Sequence, residues 1–188
     1  MVTTPVPWPL DIHTSPGPRS AGLHVSDLYN AFYRKYQPER YHEIEPGEQP
    51  SSVLPLGLAW EQYLERCFLA QGVKAERPGE FQTAEGVYFS PDLIINGRPP
   101  RGGEIKFTTM GEQDFSAAKF AKWHTQAKVY GHHLQLPDWT FFICFARGDY
   151  RKNIWPIYRE IQVAYTAKEM RDEWALLLSF GRQNRMLI

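Results

Sequence analysis

Three ionisable side chains stand on two neighbouring apolar segments, and together they could do chemistry. Asp92 comes directly before the run LIIN, and Glu104 and Lys106 flank an isoleucine in the run GEIKF. Charged groups that are taken out of water are costly unless they are paired or bound to a metal. Carboxylate oxygens bind Mg²⁺ or Mn²⁺, and such an ion activates a water and stabilises charge on a phosphate oxygen. The three residues are therefore candidates for the hydrolysis of a phosphodiester.

The two segments are predicted to pair as a β-hairpin. Asn96-Gly97 is a strong turn signal, and Pro99-Pro100 keeps the connection out of a helix. In a hairpin centred on Arg98, Asp92 and Glu104 each lie six residues from the centre, and they face each other. The loop is longer than two residues, so the register is open to a slip. Even then, the two carboxylates should remain neighbours at one end of the sheet.

The alternation of side chains along a strand separates the charged residues from the core. Glu104 and Lys106 are expected on one face, with Ile105 turned to the core on the other. A second interpretation stays open, because this pattern is short and common. In that interpretation Glu104 and Lys106 form a salt bridge on a solvated face, and Asp92 only begins a turn.

The rest of the chain predicts a mixed central β-sheet flanked by helices, in the α/β or α+β class. Helices are expected over 26–38, 56–71, 116–134 and 167–180, the first capped by the hydroxyl of Ser26 and the second ended by Gly72. Strands are expected in GVYFS, DLIIN and GEIKFTT, which would form a three-stranded meander, in the doubly buried WTFFICFAR, and in NIWPIYREI. Pro156 favours an edge position for the last strand, because proline has no N–H to donate.

The composition predicts one domain, over 21–188, that follows a proline-rich arm over 1–20. The chain has 188 residues, of which 43% are hydrophobic and 22% charged, as is typical of globular proteins. No apolar run approaches a membrane span, and the N-terminus lacks the pattern of a signal peptide. A cytoplasmic location is therefore expected, or the host cytoplasm for a viral protein. Two cysteines, Cys67 and Cys144, cannot build a four-cysteine zinc or iron–sulfur site.

Four motifs, in order along the chain, resemble one enzyme superfamily. Pro91-Asp92 followed by Glu104-Ile105-Lys106 resembles the signature of the PD-(D/E)XK nucleases. Gly57-Leu-Ala-Trp-Glu61 is similar to the helical motif that supplies a further metal ligand there. Gln126-Ala-Lys-Val-Tyr130 matches the Gln-x-x-x-Tyr motif of the RecB-like branch, which includes the CRISPR-associated RecB-type and lambda-type exonucleases. The run His24-Val-Ser-Asp-Leu-Tyr29 is weakly similar to the opening helix of that branch.

The resemblance implies a restriction-endonuclease-like core and a set of catalytic roles. One or two Mg²⁺ or Mn²⁺ ions would be held by Asp92, Glu104 and Glu61 with the Ile105 carbonyl, and Lys106 would orient the attacking water. Many RecB-type members have histidine in place of Glu61, but glutamate is also a sound Mg²⁺ ligand. The iron–sulfur members carry four cysteines that this chain lacks, so no iron–sulfur cluster is expected.

Basic and polar residues near the motifs are expected to contact DNA. Gln126 and Tyr130 share one helix face, which resemblance places at the active site and against the DNA. The further candidates are Lys119, Lys122, Arg98 and Arg101, which would supply charge for the phosphate backbone. Without the resemblance, a solvated helix face is the alternative for the polar stripe.

Together these motifs predict a metal-dependent DNA exonuclease. The resemblance favours a role at DNA ends, single- or double-stranded, in recombination, repair or phage DNA processing. A homo-oligomer or a recombination-protein partner is compatible with it. The alternatives are a site-specific or structure-specific endonuclease of the same superfamily and a catalytically silent DNA-binding module.

Overall fold

The computed structural model describes residues 19–38, 53–109, 111–112, 117–146 and 156–187, with the backbone alone at 53–54 and 117–119. Residues 1–18 of the predicted N-terminal arm lie outside the described residues, so the arm and the domain boundary remain predictions. Within the described ranges, no helix has the length and apolar character needed to cross a bilayer.

Four helices and seven strands form within these ranges. The helices are α1 (Val25–Tyr36), α2 (Val53–Ala70), α3 (Ala117–Leu134) and α4 (Ala167–Gln183). The strands are β1 (Ala75–Glu76), β2 (Phe81–Gln82), β3 (Tyr88–Phe89), β4 (Leu93–Ile95), β5 (Arg101–Thr108), β6 (Asp138–Phe145) and β7 (Ile157–Ala164). Every predicted helix is present, with ends that differ by a few residues from those expected.

The main sheet is mixed, as predicted. Its strand order is β1-β4-β5-β6-β7, and β5 and β6 run parallel while the other neighbours are antiparallel. Helix α3 makes the crossover between the two parallel strands, since a parallel pair cannot be joined by a tight turn. Strand β7 lies at the edge directly after Pro156, which confirms the predicted edge position.

The predicted three-stranded meander is wrong. Strand β3 pairs with β2 in a separate two-stranded sheet, and the short β1 takes the place beside β4. The chain changes direction through Ser90-Pro91, where proline cannot continue a ladder. The side chains on either side of this break also enter different cores, because Phe89 packs with the α1 and α3 residues and Leu93 packs under α2.

Two hydrophobic cores cover the two faces of the sheet. The core on one face joins α1, α3 and α4 to β6, and it includes Leu28, Val129, Phe141, Ile143 and Leu177. The core on the other face joins α2 to the hairpin, and it contains Leu64, Leu93, Ile95, Ile105 and Phe142. Strand β6 contributes to both cores, as its doubly buried sequence predicted. The alternation along β5 therefore turns Ile105 towards α2 and Glu104 and Lys106 towards α1 and α3.

The first helix is capped differently from the prediction. His24 is the N-cap residue of α1, and its backbone N–H donates to the Asp27 carboxylate at 2.9 Å. Ser26 lies inside the helix, where its hydroxyl accepts a hydrogen bond from the Arg19 guanidinium at 3.3 Å. The carboxylate at the third helical position satisfies the N-cap donor, as in a capping box, so the helix begins before Ser26.

Candidate active site

The β4–β5 hairpin brings the two predicted carboxylates together. Its register pairs Leu93 with Gly103 and Ile95 with Arg101, so Asp92 comes opposite Glu104 one step further along. This is the symmetric register centred on Arg98 that the turn signals predicted. A slip by one residue would have sent one of the two side chains to the other face.

A single ammonium group links the carboxylates. The Nζ atom of Lys106 lies 2.5 Å from Glu104 Oε2 and 3.9 Å from Asp92 Oδ2, which places both acids on one side of the sheet. The same Asp92 oxygen accepts a hydrogen bond from the backbone N–H of Ile105 at 2.7 Å. Burial acts to lower the pKa of Lys106, but the carboxylates of Glu104 and Asp92 outweigh it and hold that pKa above its ordinary value. The ammonium therefore keeps its proton near neutral pH.

Glu104 has the features of a ligand that faces a cation. Its side chain is 0% exposed, and its Oε1 atom has no hydrogen-bond partner among the described residues. Burial, with a further contribution from Asp92, raises the pKa of Glu104 to about 8, while Lys106 acts in the opposite direction. A buried carboxylate oxygen without a partner is costly, and a divalent cation would supply the missing contact. The donor set of this corner of the site thus fits Mg²⁺ or Mn²⁺.

Glu61 lies on α2 at the same cleft, but a guanidinium engages its carboxylate. Arg77 Nη2 donates to Glu61 Oε2 at 2.9 Å, and Arg77 Nε donates to Glu65. Burial, followed by the charge of Asp92, raises the pKa of Glu61, so the two acids are close enough to interact. Within the part of the chain that the structure describes, no three His, Cys, Asp or Glu side chains converge closely enough to hold a metal. The role of Glu61 as a third ligand therefore stays a prediction.

Helix α3 adds the predicted glutamine and tyrosine to the cluster. Gln126 Oε1 accepts a hydrogen bond from Lys106 Nζ at 3.1 Å, and Gln126 Nε2 donates to the Tyr130 hydroxyl at 3.3 Å. Tyr130 is buried, and burial raises the pKa of its phenol well above the ordinary value. The helix face that the sequence singled out thus meets the hairpin, and Gln126 fixes the position of the lysine.

The predicted basic contacts are not brought to one place. Lys122 lies with its Nζ 6.0 Å from the ring centre of Tyr33, and the side chain of Lys119 is outside the described residues. Arg98 and Arg101 line a different cavity at the turn end of the hairpin. Their contact with DNA stays a prediction.

Three members of the cluster, Asp92, Gln126 and Tyr130, line a cleft of about 520 Å³, whereas Glu104 and Lys106 lie behind them and are not among its lining residues. Among its lining residues are Glu61, Asp92, Gln126, Tyr130, Arg19, His24, Arg77 and Glu80. Of the last four, His24 begins the run that is weakly similar to the opening helix of the RecB-like branch, and no spacing signal selects the other three, of which the two arginines come from loops. Tyr29 of α1 also lies close enough for the charges of Lys106 and Glu104 to act on its pKa, which burial raises.

No family model and no curated protein matches the chain. Among solved structures, the chain is similar to SSO0001 with 12% identity and a TM-score of 0.49, over 88% of this chain and 79% of that one. It is also similar to LHK-Exo, solved in complex with dAMP, with 13% identity and a TM-score of 0.48, over 84% of this chain and 86% of that one. Likeness at this level supports no inference about activity, which must therefore be argued from the side chains of the site.

Proposed function

We propose that this chain is a metal-dependent deoxyribonuclease that hydrolyses DNA phosphodiester bonds. The observation that supports the proposal is the buried Glu104 carboxylate beside Asp92 and the Lys106 ammonium, with one oxygen that has no hydrogen-bond partner among the described residues. A solvated salt bridge would not bury a carboxylate completely. The arrangement instead resembles a binding site for a divalent cation next to a fixed positive charge.

Mg²⁺ or Mn²⁺ would be held by Glu104 Oε1, the Asp92 carboxylate and the Ile105 carbonyl, with Glu61 as a further ligand. When bound, the ion supplies an activated water and stabilises charge on a phosphate oxygen. The capture of Glu61 would require its hydrogen bond to Arg77 to open or to be shared. No iron–sulfur cluster is part of the proposal.

The role of Lys106 follows from its hydrogen bonds. Its ammonium donates to Glu104 and to Gln126, and its raised pKa keeps it charged. It therefore acts as a donor that orients the attacking water or a phosphate oxygen, and it does not take up the proton of the water. Gln126 is a positioning residue, because it acts on the reacting groups through Lys106.

The proposed action at DNA ends rests on the resemblance to the RecB-like branch. The Gln126 and Tyr130 pair favours an exonuclease in recombination, repair or phage DNA processing. The same resemblance is compatible with a homo-oligomer or with a recombination protein as a binding partner. An endonuclease of the same superfamily is the alternative. The two differ in whether a circular substrate is cut.

The test is a time course on linear, circular and single-stranded DNA, each incubated with Mg²⁺, Mn²⁺ or EDTA. We expect degradation of linear DNA with either metal, none in EDTA, and protection of the circle. Asp92→Asn should abolish cleavage, since it removes the charge and keeps an oxygen to accept from the Ile105 N–H. The matched control Asp172→Asn changes an exposed residue of α4 and should cut like the wild type.

Three results would count against the proposal. Cleavage that persists in EDTA would show that the reaction needs no divalent metal. Cleavage by Asp92→Asn would show that the proposed site is not the place of the reaction. DNA binding with no cleavage in either metal would favour the catalytically silent module. Cutting of circular DNA would leave the nuclease standing and replace the exonuclease with an endonuclease.

A further inference from the structure

A second cavity, of about 530 Å³, lies at the turn end of the β4–β5 hairpin. It shares no lining residue with the candidate active-site cleft. Its polar lining residues include Arg98, Arg101, Asp138, Thr140 and Gln162. These come from the hairpin turn, the starts of β5 and β6, and the end of β7. The sheet order therefore gathers them at one end of the sheet.

Both arginines of this cavity are free to bind a ligand. Arg98 is exposed and Arg101 half-buried, and neither makes an ion pair or a side-chain hydrogen bond with any described residue. By contrast, Arg77 and Arg159 elsewhere on the chain are engaged by carboxylates. A guanidinium is suited to bind phosphate through two parallel N–H donors.

A buried hydroxyl, that of Thr140, belongs to a lining residue of the cavity. Thr140 is 1% exposed, and its Oγ1 atom has no hydrogen-bond partner among the described residues. Alternation along β6 puts Thr140 on the same face as Phe142, which belongs to the core under α2. The same face carries Gln162, its direct neighbour on β7. A buried polar group without a partner is costly, and an oxygen of a ligand in the cavity would satisfy it.

We propose that this cavity is an anion site, separate from the candidate active site, which takes a phosphate group. Arg98 and Arg101 supply the positive charge, and the Thr140 hydroxyl and the Gln162 amide supply hydrogen bonds. Asp138 is the one carboxylate among the described lining residues, and it opposes the binding of an anion. The phosphate comes either from the DNA backbone or from a free phosphate or mononucleotide. The DNA source rests on the proposed function, whereas the anion site does not.

The first arm of the test titrates inorganic phosphate into the protein at low ionic strength in EDTA, by calorimetry. Removal of two charge-assisted contacts in Arg98→Gln/Arg101→Gln should weaken binding by about tenfold or more. Thr140→Val should weaken it severalfold without lowering the melting temperature. Asp138→Asn should strengthen it, a change of opposite sign that misfolding does not produce. Arg182→Gln/Arg185→Gln removes the same two charges at exposed positions at the end of α4 and just after it, so it is the matched control and should bind like the wild type.

The second arm identifies the source of the phosphate. The affinity for linear duplex DNA is measured against salt concentration, again in EDTA. If the DNA backbone is the ligand, the salt slope should fall by about one for each arginine removed. If the slope is unchanged while phosphate binding is lost, the ligand is a free phosphate or a mononucleotide.

Equal phosphate affinity in the wild type and the double arginine variant would overturn the site. The same loss in Arg182→Gln/Arg185→Gln would overturn it too, since binding would then follow net charge. Neither arm measures cleavage. A chain that fails to cut DNA can therefore still have the anion site, and a chain that cuts DNA can lack it.

Discussion

Replacement of Lys106 by methionine tests the buried charge cluster most directly. Methionine keeps the unbranched shape of the lysine and removes the charge. The Lys106 side chain is 16% exposed and its partner Glu104 is 0% exposed, with 2.5 Å between Nζ and Oε2. Without the ammonium, neither oxygen of Glu104 would have a hydrogen-bond partner among the described residues.

The expected loss is large because it isolates a buried charge. Removal of one partner from a buried ion pair costs about 3–5 kcal/mol, against a total stability of about 5–15 kcal/mol for a domain. Urea unfolding in EDTA measures this difference at about pH 9, because the Glu104 carboxyl, whose pKa burial raises to about 8, is ionised in the wild type only above that value. Lys168→Met is the control, because its lysine is 77% exposed and pairs with Asp172 on the surface. It should cost about 1 kcal/mol or less.

A metal at Glu104 would reverse part of the loss. At a free Mn²⁺ concentration of about one hundred times the dissociation constant, binding to the native state stabilises it by about 2.7 kcal/mol. Lys106→Met should therefore gain stability in Mn²⁺. In Lys106→Met/Glu104→Gln the buried charge is gone, so the stability in EDTA should recover and the response to Mn²⁺ should disappear.

Two results would refute this reasoning. If Lys106→Met unfolds at the same urea concentration as Lys168→Met in EDTA, Glu104 is not an isolated buried charge. If Mn²⁺ stabilises the double variant as much as Lys106→Met, the ion binds elsewhere. Both measurements concern stability and are independent of whether the protein cuts DNA.

Three further changes test other contacts of the structure. Arg77→Gln should tighten Mn²⁺ binding in calorimetry, because it frees the Glu61 carboxylate and removes a positive charge from the cleft; weaker binding would contradict the competition. Burial lowers the pKa of His133 to about 4, whereas the pKa in the unfolded chain is near 6.5. The unfolded chain therefore binds the proton more readily, and the free energy of unfolding decreases as the pH falls from about 6.5 to about 4. His133→Phe should reduce this decrease by about 1–2 kcal/mol, after allowance for the half-buried position of the residue. Urea unfolding of both proteins at about pH 4.5 and about pH 7.5 measures it, and an equal decrease in the wild type and the variant would contradict the prediction. Gly102→Ala should cost about 3 kcal/mol in urea unfolding, because the new Cβ would lie 2.6 Å from the Trp139 ring; a loss below about 1 kcal/mol would mean that the ring moves aside.

The hairpin at the centre of the site could be predicted from local residues. Asn96-Gly97 and the two prolines set the turn, and the alternation in GEIKF set the faces, so the register that pairs Asp92 with Glu104 followed from neighbours in the chain. Such short-range rules work where one face of a strand is buried, because a shift of the strand register by one residue would turn all of its apolar side chains towards solvent. The edge position of β7 followed in the same way from Pro156.

Long-range contacts escaped prediction where the residues carry no periodic pattern. From its sequence, strand β3 is expected to pair with β4. In the structure it pairs with β2 in a separate sheet, and its Phe89 packs against α1 and α3. The arginine that engages Glu61 comes from a loop after β1, and nothing in its spacing announces that partner. Loops take their positions from the elements that they connect, so their contacts become visible only in the assembled fold.

The sequence by itself determined which groups could do chemistry and on which strands and helices they stand. Local turn chemistry and side-chain period depend on residues a few positions apart, and these rules also placed the two acids side by side. Only the tertiary structure decided that Glu104 is fully buried, that Gln126 fixes Lys106, and that Arg98 and Arg101 open into a separate cavity. Burial and ion pairing are properties of the packed chain, because they depend on which distant segments exclude water from a group.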